Sequence, residues 1–74
     1  MQSYVIILSS ITYVNKAKYI LAQNNIKSYI VKLRTTMERR GCGYGLEITK
    51  NCLQNAVAVI EKARIKIIEI TEYD

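Results

Sequence analysis

The stretch from Tyr4 to Ser9 constrains the fold most, because Val5, Ile6, Ile7 and Leu8 follow one another without a charge. Successive residues of a strand point to opposite faces, so an unbroken apolar run describes a strand buried on both sides. Such a strand is central, and the remainder of a 74-residue chain has to cover it from two directions. That length allows one domain, residues 1–74, whose core leaves only a small net stability.

Ser9 and Ser10 stop the run, and either can cap a following helix in which Ile11, Val14, Ala17 and Leu21 recur at three- and four-residue spacing. Asn24-Asn25 suits its end, since asparagine tolerates the left-handed conformation. From Lys27 to Arg34 the pattern alternates, with Tyr29, Val31 and Leu33 on one face, which predicts an edge strand. Residues 35–43 form a loop. Tyr44, Leu46 and Ile48 then alternate with Gly45, Glu47 and Thr49 as a third strand, hairpin-connected to the second. Asn51 and Gln54 have capping-box spacing, and Cys52, Ala56, Val59, Ile60 and Ala63 form the inward stripe of a second helix. Lys66 to Tyr73 is a fourth strand, with Ile68 and Ile70 expected on one side and Ile67 on the other.

Strand, helix, strand, strand, helix, strand is the order of an α+β, ferredoxin-like βαββαβ sandwich: a four-stranded antiparallel sheet of order 4-1-3-2 with two helices on one face. Some apolar residues of the first and fourth strands should then meet water on the open face of a monomer, and a homodimer through that face is the expected remedy.

Composition narrows the chemistry. The chain has no histidine, which removes Ser-His-Asp and Cys-His mechanisms and imidazole metal sites. Its two cysteines are ten residues apart, with neither a disulfide framework nor a metal-ligand spacing, so no metal and no cofactor is expected. The apolar run is too short for a signal peptide or a membrane span, and a reducing cytoplasm is the expected compartment. A formal charge of +5 suits an anionic partner.

The functional residues concentrate in Arg39-Arg40-Gly41-Cys42-Gly43-Tyr44-Gly45, which holds all three glycines of the chain. Glycines flanking a thiol leave the sulfur uncrowded, and nearby guanidinium groups favour the thiolate. Cys42 is therefore the candidate nucleophile or sulfur carrier, with Gly41, Gly43 and Gly45 as loop hinges. The plainer reading of those glycines is a hairpin with a bulge. In the expected fold the Cys42 loop shares a rim with the start of the first helix, where Ser9, Ser10 and Thr12 form an anion-binding ledge. Arg34, Arg39 and Arg40 add positive charge there, and Lys62, Arg64 and Lys66 at the end of the second helix are expected to join them. Cys52 reads as a small buried hydrophobe.

The opening strand ending in Ser9, the helix with Ala17 and Lys18, the following strand and basic loop, and above all Cys42-Gly43 resemble the selenium- or sulfur-carrier-protein-like family of short bacterial and archaeal domains. Leu33-Arg34 stands where that family has proline-arginine. The resemblance implies a cysteine that holds sulfur or selenium as a persulfide or selenosulfide, with donor and acceptor proteins of sulfur or selenium metabolism as partners; it implies a carrier rather than a stand-alone enzyme. Only Cys42 and Gly43 inherit a role from it.

Two other readings compete. RNA-recognition domains share this element order, and Arg40, Gly41, Gly43 and Tyr44 fit their third-strand signature, although Cys42, Gly45 and Glu47 fall at other positions of it, two of them aromatic. A single-stranded RNA-binding module is thus an alternative, and a non-catalytic interaction or regulatory domain is another.

Overall fold

The computed structural model describes residues 2–33 and 43–73. Its elements are β1 (Ser3–Leu8), α1 (Ile11–Gln23), β2 (Tyr29–Lys32), β3 (Tyr44–Thr49), α2 (Lys50–Lys62) and β4 (Ile67–Tyr73). The strands form one sheet in the order β2-β3-β1-β4, with every neighbouring pair antiparallel. This is the α+β, ferredoxin-like arrangement expected from the element order.

β1 is central, and Val5, Ile6, Ile7 and Leu8 are all 0% exposed. Alternation divides them. Ile6 and Leu8 join Leu46 and Ile48 of β3 in a core closed by Val14, Ala17 and Leu21 of α1 and by Ala56 and Ile60 of α2. Val5 and Ile7 point to the other face, where they pack with Leu33, and Val31, Ile68 and Tyr73 lie against them. The expectation that β1 meets water on its open face is therefore corrected: Val5 and Ile7 are shielded within a single chain.

Gly45 makes that second cluster close. It lies inside β3 opposite Ile7, so it is a strand residue and not the loop hinge expected from the sequence. A Cβ built on it would come 2.6 Å from Val5 Cγ1, 3.0 Å from the Ile6 carbonyl oxygen and 3.3 Å from Leu33 Cδ2. Only the missing side chain lets Val5 and Leu33 meet across β3.

Three further details depart from the sequence pattern. α2 starts at Lys50, directly from β3, because the Lys50 N–H donates to the Gln2 carbonyl at 3.1 Å and carries the ladder into the helix. Thr49 is thus the N-cap, and Asn51 lies in the first turn instead of capping it. In β4 the register slips beside Ile7 and Leu8, which pair with Glu69 and Ile67. Ile68 is left over and packs on the Val5 cluster, while Ile70 opposes Ile6, so Ile68 and Ile70 lie on opposite sides. Finally, Asn25 (φ 60) and Arg64 (φ 63) both take the left-handed conformation that ends a helix. The Ile26 N–H bonds to Leu21 and the Ile65 N–H to Ile60, which turns each of these isoleucines back into the core.

Replacing Gly45 with alanine should destabilise the domain by about 1–3 kcal/mol through overpacking, measured by urea unfolding. The loss should be smaller in a Val5→Ala background, where the nearest clashing methyl is gone. A Gly45→Ala variant as stable as the parent would show that the Val5–Leu33 contact does not need this glycine.

Candidate functional site

Strand pairing fixes which chain ends share a rim. β1 and β2 both run antiparallel to β3, so they end on the side where β3 begins. The Leu33 N–H donates to the Gly43 carbonyl at 2.8 Å, one pair beyond the last β2–β3 pair, and closes the hairpin stem. Gly43 has φ 88, a value that favours glycine and suits the bulged-hairpin reading. The β1–β3 register, continued two residues past Ile7↔Gly45, brings Ser9 level with Gly43. The hairpin stem and the start of α1 are therefore neighbours, as expected.

Arg34, Arg39, Arg40, Gly41 and Cys42 lie outside the described residues. Of the expected ledge, Ser9 is exposed and Thr12 is exposed in the first turn of α1. Ser10 is the N-cap: its Oγ accepts the Tyr13 N–H at 3.2 Å. Its hydroxyl oxygen is thus engaged in ending the helix, and an anion at this terminus would rely on the neighbouring backbone N–H groups.

Of the three basic residues assigned to this rim, strand pairing places Lys66 most directly. Lys66 stays there, because the next residue, Ile67, pairs with Leu8 at the end of β1. Arg64 is exposed and serves as the left-handed terminator of α2. Lys62 lines a groove with Ile20, Asn24, Val59 and Ala63. β3 ends beside Ser3 and β4 begins beside Leu8, so α2 runs back toward the rim of Ser9 and ends four residues before Lys66. Cys52 is partly buried in α2 against the helix-side core, where the inward stripe put it.

The open face differs from an RNA-stacking platform. Tyr44 alternates with Gly45, whose side-chain direction is toward Val5 and Leu33, so Tyr44 belongs to the helix side with Leu46 and Ile48. The two central strands present Val5, Ile7, Gly45 and Glu47 to the open face. Glu47, which the sequence placed at an aromatic position of the RNA-recognition signature, thus lies on the side of Gly45. Among the described residues no group of histidine, cysteine, aspartate and glutamate is arranged to hold a metal ion, and no helix is long and apolar enough to cross a membrane.

Ser10→Ala should cost roughly 0.5–2 kcal/mol of stability, the usual range for a lost N-cap, with a lower thermal midpoint by circular dichroism; an unchanged midpoint would mean that the Ser10–Tyr13 bond does not hold the helix start. No family model matches this chain, and no curated protein or solved structure matches it either, so the reading of the site rests on its own residues and geometry.

Proposed function

We propose that this chain is a small carrier that holds sulfur or selenium on Cys42, between a donor and an acceptor protein. The observation that supports this reading is the stem of the hairpin. Gly43, the residue after Cys42, takes a conformation that favours glycine and is bonded to Leu33 at the rim level with Ser9. A thiol carried beside such a stem has rigid strands behind it and a helix N-terminus nearby, where developing negative charge is favoured. In the sequence Arg34, Arg39 and Arg40 are the basic residues nearest Cys42, and guanidinium charge favours a thiolate.

The transfer balances without an added oxidant or reductant. The Cys42 thiolate attacks the terminal sulfur of a donor persulfide, a new sulfur–sulfur bond forms on Cys42, and the donor thiolate leaves with the electron pair of the broken bond. No general base is needed if the thiol is ionised beforehand, which fits a chain without histidine.

After incubation with a low-molecular-weight persulfide and removal of excess, intact mass measurement should show one added sulfur atom, and peptide mapping should place it on Cys42. Cys42→Ser should abolish the adduct while leaving thermal unfolding unchanged. An adduct that survives Cys42→Ser, or maps to Cys52, would refute the carrier reading. If Cys42→Ser leaves binding to a natural partner intact and no adduct ever forms, the interaction-domain reading replaces it.

A further inference from the structure

The two edges of the sheet match each other. One row runs straight across it, Ile30 on β2, Leu46 on β3, Ile6 on β1 and Ile70 on β4. Its two inner members are buried beneath the helices, whereas Ile30 is 37% and Ile70 39% exposed. The exposed isoleucines thus occupy opposite ends of the same row, on the same side of the sheet.

Backbone direction agrees. In an antiparallel strand both hydrogen-bonding groups of a residue point to one side, and the side alternates along the strand. Leu33 bonds to Gly43, so the odd-numbered residues of β2 face β3 and Ile30 and Lys32 face outward. Lys50 bonds to Gln2, so the even-numbered residues of β1 face β3 and the odd-numbered ones face β4. Val5 and Ile7 therefore bond to Thr71 and Glu69, which leaves the backbone groups of Ile70 and Glu72 directed away from the sheet. Both edges present an exposed isoleucine with its N–H and C=O turned outward.

Charge decides how the edges combine. The β2 edge carries Lys27 and Lys32, and Lys18 reaches it from α1, with Nζ 3.3 Å from the Ser28 carbonyl. The β4 edge carries Glu69 and Glu72 and no basic residue. Pairing β4 with β4, or β2 with β2, gathers like charges, and pairing β2 with β4 gathers opposite ones. β2 and β4 run in opposite directions within the sheet, so a second copy in the same orientation extends it with another antiparallel pair.

We propose that the β2 edge of one copy binds the β4 edge of another, with Ile30 beside Ile70 of the second copy. That register sets Ser28 against the second copy's Glu72, and hence Glu72 beside the Lys18 ammonium. The contact is head-to-tail, so it repeats and builds short linear assemblies. The strand of four residues on one side keeps each contact weak and dependent on concentration and salt. This association uses neither Cys42 nor the open face.

Two blocked variants test it. Ile30→Pro and Ile70→Pro each remove an outward N–H while sparing the internal ladder, and circular dichroism checks that both remain folded. In sedimentation equilibrium from micromolar to millimolar concentration, the parent chain should gain average mass steadily and lose that gain at high salt. Each variant alone should stay monomeric, because it keeps one competent edge, and an equimolar mixture should reach twice the monomer mass. A parent chain that stays monomeric throughout would overturn the proposal. Dimerisation of Ile30→Pro alone would show β4–β4 pairing instead, and dimerisation of Ile70→Pro alone β2–β2 pairing. Should a proline unfold the chain, Ile30→Glu and Ile70→Lys replace the pair, each setting a like charge against the edge it would meet; each alone should stay monomeric and their mixture should gain mass.

Discussion

A single strand buried on both faces, with helices on only one, sets the terms for this fold. The helix side of β1 is covered by α1 and α2, which bring Val14, Ala17, Leu21, Ala56 and Ile60 over Ile6 and Leu8. Among the described residues no helix packs on Val5 and Ile7, yet both are fully buried. Their cover includes neighbours within the sheet, Leu33 from β2 and Ile68 and Tyr73 from β4. Two local irregularities make this possible. Gly45 removes the side chain that would separate Val5 from Leu33, and the slip in the β1–β4 register turns Ile68 onto the open face beside Ile7. In so small a domain this second cluster matters, because little apolar area is available elsewhere to offset chain entropy.

The same requirement accounts for the helix ends. Each helix must stop sharply and return its chain to the sheet, and each does so through one left-handed residue followed by a buried isoleucine: Asn25 then Ile26, and Arg64 then Ile65. Asparagine accepts that conformation at little cost, whereas arginine bears a penalty of order 1–2 kcal/mol, the usual one for an L-residue there. The core contact of Ile65 and the bonds from Arg64 to Glu61 and from Ile65 to Ile60 hold Arg64 in place.

Element order and sheet topology were legible because each signal was local and unmixed: the unbroken Val5–Leu8 run, the helical spacing through Leu21, and the alternation of Tyr44, Leu46 and Ile48. The Ser10 cap and the asparagine terminus were legible for the same reason. What escaped the sequence depended on registers between strands. That Gly45 opposes Ile7 and stands against Val5, and that Ile68 is extra in β4, follow from how β1 lies against β3 and β4, which no window of neighbouring residues contains. The thiol region divides in the same way. The glycines and arginines around Cys42 mark it in sequence, whereas the level of Gly43 beside Ser9 comes from the β1–β3 register.

Where this domain meets other molecules follows from where its apolar surface is already spent. With Val5 and Ile7 shielded, the middle of the open face offers little for a partner to bury, and Glu47 beside Val5 adds a carboxylate there. The remaining exposed isoleucines of the sheet lie at its edges, along the hydrogen-bonding direction. The hairpin stem that precedes β3 lies at the rim, along the strand direction. These two directions are perpendicular, so a neighbour that extends the sheet at Ile30 approaches from the side of β2 and leaves the ends of the strands uncovered. An overall charge of +5 conceals this arrangement, because the chain is basic at β2 and acidic at β4. In the edge pairing proposed above, the choice of edge follows that polarity and not the net charge.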